Sequence, residues 1–275
     1  MALFDGIIIA TDIDNTFLYQ GKYYANVPAI RYFTANGGRF IFASGRNHKD
    51  IYNIIPDLAE LTNAPNVLCN GGLCYDAQTK EILNPKYLDN SQLPRLCDRL
   101  EELAHGRIDD RVYTGRLVYE RFDKEFAEYL KENDLQEYAV GLDMSDHDEN
   151  GRFKLVIYSG KNTVKYLRPI IENEFPMFEY TRSAEYCFEL SALGVSKWTQ
   201  LDYVRSLVRR ECPTAEVYAV GDFDNDMDML IHADRAFCPE NAAQCVKDVC
   251  ERVLCHAEKG VIADLIKFIE NERRN

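Results

Sequence analysis

Two aspartates stand two residues apart in Asp12-Ile13-Asp14, directly behind the run Ile7-Ile8-Ile9-Ala10-Thr11. That β-branched run reads as a fully buried strand, and alternate residues of an extended segment point the same way. The two carboxylates can share one metal ion or one substrate, or they can form an acidic turn at the strand exit. A second acidic group follows the apolar run Val217-Tyr218-Ala219-Val220. After Gly221 come Asp222, Asp224, Asp226 and Asp228, four acids within seven residues. Like charges at close range raise one another's pKa values, so such a cluster is either splayed into water or built round a cation. Carboxylate oxygens are hard ligands suited to Mg2+, Mn2+ or Ca2+. A calcium loop is disfavoured. Asp222, Asp224 and Asp226 match its first three ligand positions, but Met227 stands where it needs glycine and Ala233 where it needs glutamate.

Two further segments carry groups that suit an oxyanion. Phe40-Ile41-Phe42-Ala43 ends in Ser44-Gly45-Arg46. A glycine lets backbone approach a bound oxyanion closely, Ser44 adds a hydroxyl, and a helix beginning near Asn47 would add its positive end. An ordinary strand-to-helix turn has the same composition. Lys197 opens a segment with apolar residues at Trp198, Leu201, Val204, Leu207 and Val208, an amphipathic helix capped by Ser196. A lysine in the first turn opposes the helix dipole unless an anion lies close by. The elements holding these residues read as strands of a parallel sheet, and in such sheets ligands bind beyond the carboxyl ends of the strands.

In order and context, Asp12-x-Asp14-x-Thr16, Ser44-Gly45-Arg46, Lys197 and Gly221-Asp222-x-x-Asn225-Asp226 resemble the four motifs of the haloacid dehalogenase superfamily of phosphohydrolases. Asn70-Gly71-Gly72, Gly194-Val195-Ser196-Lys197, Asn241-Ala242 and Gly260-Val261 extend the resemblance to its Cof-type branch, which carries a type IIB cap. Two positions depart from the family pattern. Asn15 stands where glycine is usual and Phe17 where leucine is frequent. Asparagine tolerates the left-handed region better than most residues, so the turn is expected to survive.

The resemblance implies a Rossmann-like α/β core of parallel strands, residues 1–84 and 185–275, with an inserted α/β cap over 85–184. It implies Mg2+-dependent hydrolysis of a small phosphorylated metabolite, a sugar phosphate or a phosphorylated cofactor, through an aspartyl-phosphate. Asp12 is then the nucleophile and Asp14 the acid and base. The side chains of Asp12 and Asp222, the Asp14 carbonyl and Asp226 hold the metal. Ser44, Gly45, Lys197 and Asn225 hold the phosphoryl oxygens, and Arg46 and Asn70 are candidates for touching the substrate. The alternatives are a phosphomutase of the same superfamily, which would return the phosphoryl group to an intermediate, and a non-catalytic module that binds a phosphorylated ligand.

Between the second and third motifs the sequence predicts a hairpin (73–76 and 81–83) and then a linker at 84–87. Helices are expected over 91–104, 124–133 and 163–174, and strands over 112–121, 138–142, 153–158, 178–182 and 187–190. That is enough chain for a second small domain. Its tyrosines (113, 119, 129, 138, 158 and 180) read as strand residues, and Arg116 reads as a solvated turn residue.

A net charge of −13 over 275 residues disfavours nucleic-acid or anionic-membrane surfaces. No apolar stretch approaches the length of a membrane span. The first residues lack a basic segment, and Asp5 interrupts their apolar run, so a signal peptide is not expected. Nine scattered cysteines fit reduced thiols and a cytoplasmic setting. Cys245, Cys250 and Cys255-His256 lack a zinc knuckle and read as structural. Composition leaves the oligomeric state open.

Overall fold

The computed structural model describes residues 2–105, 118–119, 140–144, 146–184 and 186–274. The chain divides into two compact units, Met1–Pro85 with Val195–Asn275, and Lys86–Gly194. Arg116, Tyr113, Tyr129, Tyr138 and the helix expected over 124–133 lie outside the described residues.

The first unit is built on a five-stranded sheet of β1 (Ile7–Thr11), β2 (Arg39–Phe42), β11 (Glu216–Val220), β12 (Arg235–Cys238) and β13 (Arg252–Val253), in the order β13-β12-β11-β1-β2. Every pairing is parallel. All five residues of β1 are buried, as expected for a central parallel strand covered on both faces. Ile8, Ala10, Ile41, Val217 and Ala219 pack with Leu201, Val204, Met229 and Leu230 on one side. Phe17, Phe40 and Phe42 form a fully buried aromatic group, with the Phe17 and Phe42 rings 4.8 Å apart. A smaller antiparallel sheet of β3 (Asn66–Leu68), β4 (Leu73–Asp76) and β5 (Glu81–Leu83) includes the expected hairpin at its expected residues.

The second unit holds the order β6-β7-β8-β10-β9, with β6 at Val118–Tyr119, β7 at Val140–Asp143, β8 at Lys154–Tyr158, β9 at Phe178–Ala184 and β10 at Cys187–Ala192. Leu155, Ile157, Phe188 and Leu190 face helices Leu93–His105 and Lys161–Glu174 through Leu96, Leu100, Leu167 and Ile171, a core of its own. β10 pairs with β8 and β9 on either side. It therefore belongs to this sheet, although the sequence boundary at 185 assigned it to the other unit. On the same sheet Lys154 donates to Glu189 at 2.8 Å and lies 3.4 Å from Asp146, and all three side chains are largely buried.

Candidate active site

The parallel ladder runs one residue past β1, where the Asp12 amide donates to the Val220 carbonyl at 2.8 Å. On the other side the Ala43 amide donates to the Thr11 carbonyl at 2.8 Å. The tips of β11, β1 and β2 are thereby locked side by side, which brings Asp222, Asp12 and Ser44 to one end of the sheet. Helix Lys197–Val208 begins against them. Ser196, in extended conformation, accepts from the Thr199 amide at 3.2 Å, and Thr199 Oγ1 accepts from the Ser196 amide at 3.0 Å, a reciprocal capping box. Lys197 is the first helical residue, and its ammonium lies 2.7 Å from both Asp12 Oδ1 and Asp226 Oδ1 with no side-chain exposure. The anions that the sequence required for a lysine at this end of a helix are these two carboxylates.

Asp226 is fixed from its other oxygen as well. Its Oδ2 accepts from the amides of Asp222 at 2.9 Å and Phe223 at 3.3 Å. That close approach explains Gly221, since a Cβ there would lie 2.4 Å from the Asp226 carboxyl carbon. Thr16 Oγ1 donates to Asp222 Oδ1 at 3.0 Å. Ligand oxygens of Asp12, Asp222 and Asp226 all lie within 4.8 Å of one another.

Three buried carboxylates thus surround one ammonium, and the negative charge is in excess. Burial lifts the Asp12 carboxyl well above its ordinary pKa, opposed by Lys197 and reinforced by Asp226 and Asp222. Burial, followed by the charge of Asp226, pushes Asp222 up to about 7. For Lys197, burial works against the charge, but Asp12 and Asp226 outweigh it and hold the ammonium above its ordinary value. A divalent cation would relieve this imbalance, and the donor set is the hard, all-oxygen kind that Mg2+ prefers. Both Asp226 oxygens already accept hydrogen bonds. Among the described residues no donor is bound to Asp12 Oδ2 or Asp222 Oδ2, so these two residues have lone pairs open to a cation.

Asp14 stands apart from that cluster. Arg46 grips both of its oxygens, Nε to Oδ2 at 2.8 Å and one terminal nitrogen to Oδ1 at 2.7 Å, a bidentate fork on a half-exposed carboxylate. Ser44 Oγ accepts from the Arg46 amide at 3.2 Å. Asn70 links the neighbouring segments. Its amide donates to the Ser44 carbonyl at 3.0 Å, and its side-chain oxygen accepts from Asn225 at 3.3 Å. Gly45 lies directly beside the Asn70 side chain, 3.2 Å from where a Cβ would stand. The expected site residues therefore gather at neighbouring strand tips: Asp12, Lys197, Asp222 and Asp226 in one bonded group, and Asp14, Arg46, Ser44, Asn70 and Asn225 in a second, with Gly45 against Asn70. One local expectation is corrected. The chain past Arg46 does not start a helix at Asn47; Asn47 Oδ1 accepts from the Lys49 and Asp50 amides in a turn, and the helix is a single turn at Ile51–Ile54.

Asn15 adopts φ +59°, the left-handed region, so the departure from glycine keeps the turn. Asn241 donates to the Asn15 carbonyl at 2.8 Å, and the Ala243 amide donates to the Asp222 carbonyl at 3.0 Å, so the Asn241-Ala242 step ties both acidic loops together. The sequence places Thr16 in the first motif without showing what it touches. Its hydroxyl in fact reaches Asp222, a pairing 206 positions apart that no local pattern encodes.

Fold and site together define a class: an α/β protein with buried carboxylates gathered at the strand tips of a parallel sheet. A model of the haloacid dehalogenase-like hydrolases matches residues 9–266, and the chain belongs to that family. It is 23% identical to the phosphatase YwpJ of Bacillus subtilis, over 95% of this chain and 99% of that protein. It is 24% identical to the 5-amino-6-(5-phospho-D-ribitylamino)uracil phosphatase YbjI of Escherichia coli, over 96% and 97% of the two chains. Among solved structures, a HAD/COF-like hydrolase of Plasmodium vivax has the same fold, with a TM-score of 0.71 at 20% identity, covering 98% of this chain and 97% of that one.

Proposed function

We propose that this protein hydrolyses a small phosphorylated metabolite, a sugar phosphate or a phosphorylated cofactor, through a phosphoryl group carried on Asp12. The observation that carries the reading is the buried group of Asp12, Lys197, Asp226 and Asp222 at adjacent strand ends. In the first step an Asp12 oxygen attacks phosphorus, the ester P–O bond breaks, and Asp14 gives its proton to the departing alkoxide. In the second, water attacks the acyl phosphate, Asp14 takes its proton, and the bond from phosphorus to Asp12 breaks to release phosphate. Both Asp14 oxygens accept from Arg46, so the acid step calls for one of those hydrogen bonds to open. Lys197, already on Asp12, orients the nucleophile and neutralises charge on the phosphoryl oxygens as they swing past. Ser44, the Gly45 amide and Asn225 are the remaining oxyanion donors.

Asp12, Asp222, the Asp14 carbonyl and Asp226 would hold Mg2+, with Asp226 acting through the hydrogen bonds it already makes. When bound, the ion supplies positive charge that offsets repulsion between nucleophile and phosphate. The first unit is the catalytic core, and the second resembles a type IIB cap. The Escherichia coli relative, whose name specifies a phosphorylated ribityl compound, supports a polyol- or sugar-bearing substrate.

The test is a panel of phosphorylated metabolites and an aryl phosphate with Mg2+. Many turnovers of phosphate release, lost by at least ~100-fold in Asp12→Asn and lost on chelation of the metal, are expected. Isomerised product without free phosphate would instead indicate the mutase. Binding without turnover across the panel would indicate a non-catalytic module.

A further inference from the structure

The segment that supplies Asp226 continues into helix Met227–His232, and its second residue, Asp228, is half-exposed. Asp228 nonetheless reaches the site indirectly. Ser196, the cap of the Lys197 helix, donates its hydroxyl to Asp228 Oδ2. The other carboxylate oxygen lies 3.0 Å from His232 Nδ1, and His232 is stacked on Trp198 with ring centroids 5.7 Å apart at 19°. The Ser196 carbonyl also lies against Gly71, where a Cβ would come within 2.1 Å of it. The residue just before Lys197 is therefore in contact with both Gly71 and Asp228, and the residue just after it leans on His232.

We propose that Asp228 is a positioning residue for Lys197. Resting on the function proposed above, it fixes the start of the helix so that the ammonium meets Asp12 and Asp226 at 2.7 Å. One short segment then grips the helix start twice, through the Lys197 side chain at Asp226 and through the cap hydroxyl at Asp228. The capping box between Ser196 and Thr199 does not involve Asp228, so removing Asp228 leaves the helix intact and loosens only where it begins. Displacements of about an ångström at a catalytic group cost up to ~100-fold in rate.

The test compares Asp228→Ala, Asp228→Asn, Ser196→Ala and the double variant Ser196→Ala with Asp228→Ala, using an aryl phosphate with Mg2+. Asp228→Ala is expected to lower kcat about ten-fold with KM within about two-fold and an unchanged melting temperature. Asp228→Asn, whose amide oxygen still accepts from Ser196, is expected to restore most of the loss. The double variant is expected to lose no more than Ser196→Ala alone, which already removes both the cap and the hydrogen bond to Asp228. Wild-type kcat in Asp228→Ala, no rescue by asparagine, or losses that multiply in the double variant overturn the proposal. The single tryptophan of the chain, Trp198, gives a readout independent of turnover. Asp228→Ala, but not Asp228→Asn, should raise its quenching by acrylamide. If the wild type itself releases no phosphate, the function fails, and the quenching comparison still decides the role of Asp228.

Discussion

Asp222 shows how a site can work against the stability of the protein that carries it. Its carboxyl is pushed up to about 7 by burial and by Asp226, so without a cation the fold holds a charge it resists. Asp222→Asn keeps an oxygen for the Thr16 hydroxyl and removes that charge. The metal-free variant is expected to melt higher than the wild type, by ~1 kcal/mol or about 3 °C. Mg2+ should raise the melting temperature of the wild type and leave that of the variant nearly unchanged. Differential scanning calorimetry in EDTA and in Mg2+ reads both; a variant less stable than the wild type in EDTA would show that the charge cluster is not strained. At this scale the sequence was most informative where a residue's local setting signals what it needs, even when the partners lie far along the chain. Lys197 announced its need for an anion through its place in the helix. The Arg46 fork on Asp14 and the Thr16 hydroxyl on Asp222 were hidden, because each joins strand tips through tertiary placement alone.

Among the elements, the turn after β1 is the plainest test of local rules. Asn15 is exposed and holds φ +59°, so its backbone can be probed apart from packing. Asn15→Gly should change stability by no more than about 0.5 kcal/mol and leave kcat within about three-fold. Asn15→Val, a branched residue forced into the left-handed region, should cost about 1–3 kcal/mol and lower kcat by displacing Asp14. Urea unfolding together with steady-state kinetics checks the pair, and equal behaviour of the two variants would refute the backbone account. Strands β1, β2, β8, β9, β10 and β11 and helices Leu93–His105, Lys161–Glu174 and Lys197–Val208 were legible from periodicity, whereas helix Val261–Arg274 and strand β12 were not foreseen. The hairpin at β4 and β5 fell on its expected residues, and helix Lys161–Glu174 began two residues before its expected start. Short one-turn elements were not, as the absent helix at Asn47 illustrates. Side-chain hydrogen bonds to the backbone decide such turns, and hydrophobic spacing carries no trace of them. β10 was legible as a strand but not as a member of its sheet, since pairing with β8 and β9 is a long-range choice.

Across the whole molecule, two units each carry a separate apolar core, and the second keeps a buried ion group inside its sheet. Lys154→Met would remove the ammonium that Glu189 and Asp146 both face in that setting. It is expected to destabilise the chain by about 3–5 kcal/mol, whereas the same change combined with Glu189→Leu should cost clearly less. Urea midpoints measure both, and equal losses would show that the lysine contributes packing rather than charge. The described residues include no helix long and apolar enough to cross a membrane.

The order in which the strands line up has a consequence for the birth of the protein. β1 lies between β2, its near neighbour in the chain, and β11, more than two hundred residues later. A ribosome releasing the chain from its first residue therefore exposes Asp12 long before Lys197, Asp222 and Asp226 exist. On the proposed function the nascent polypeptide stays chemically idle until those residues emerge, and the inserted unit, with a core of its own, has time to collapse while the parallel sheet waits for β11.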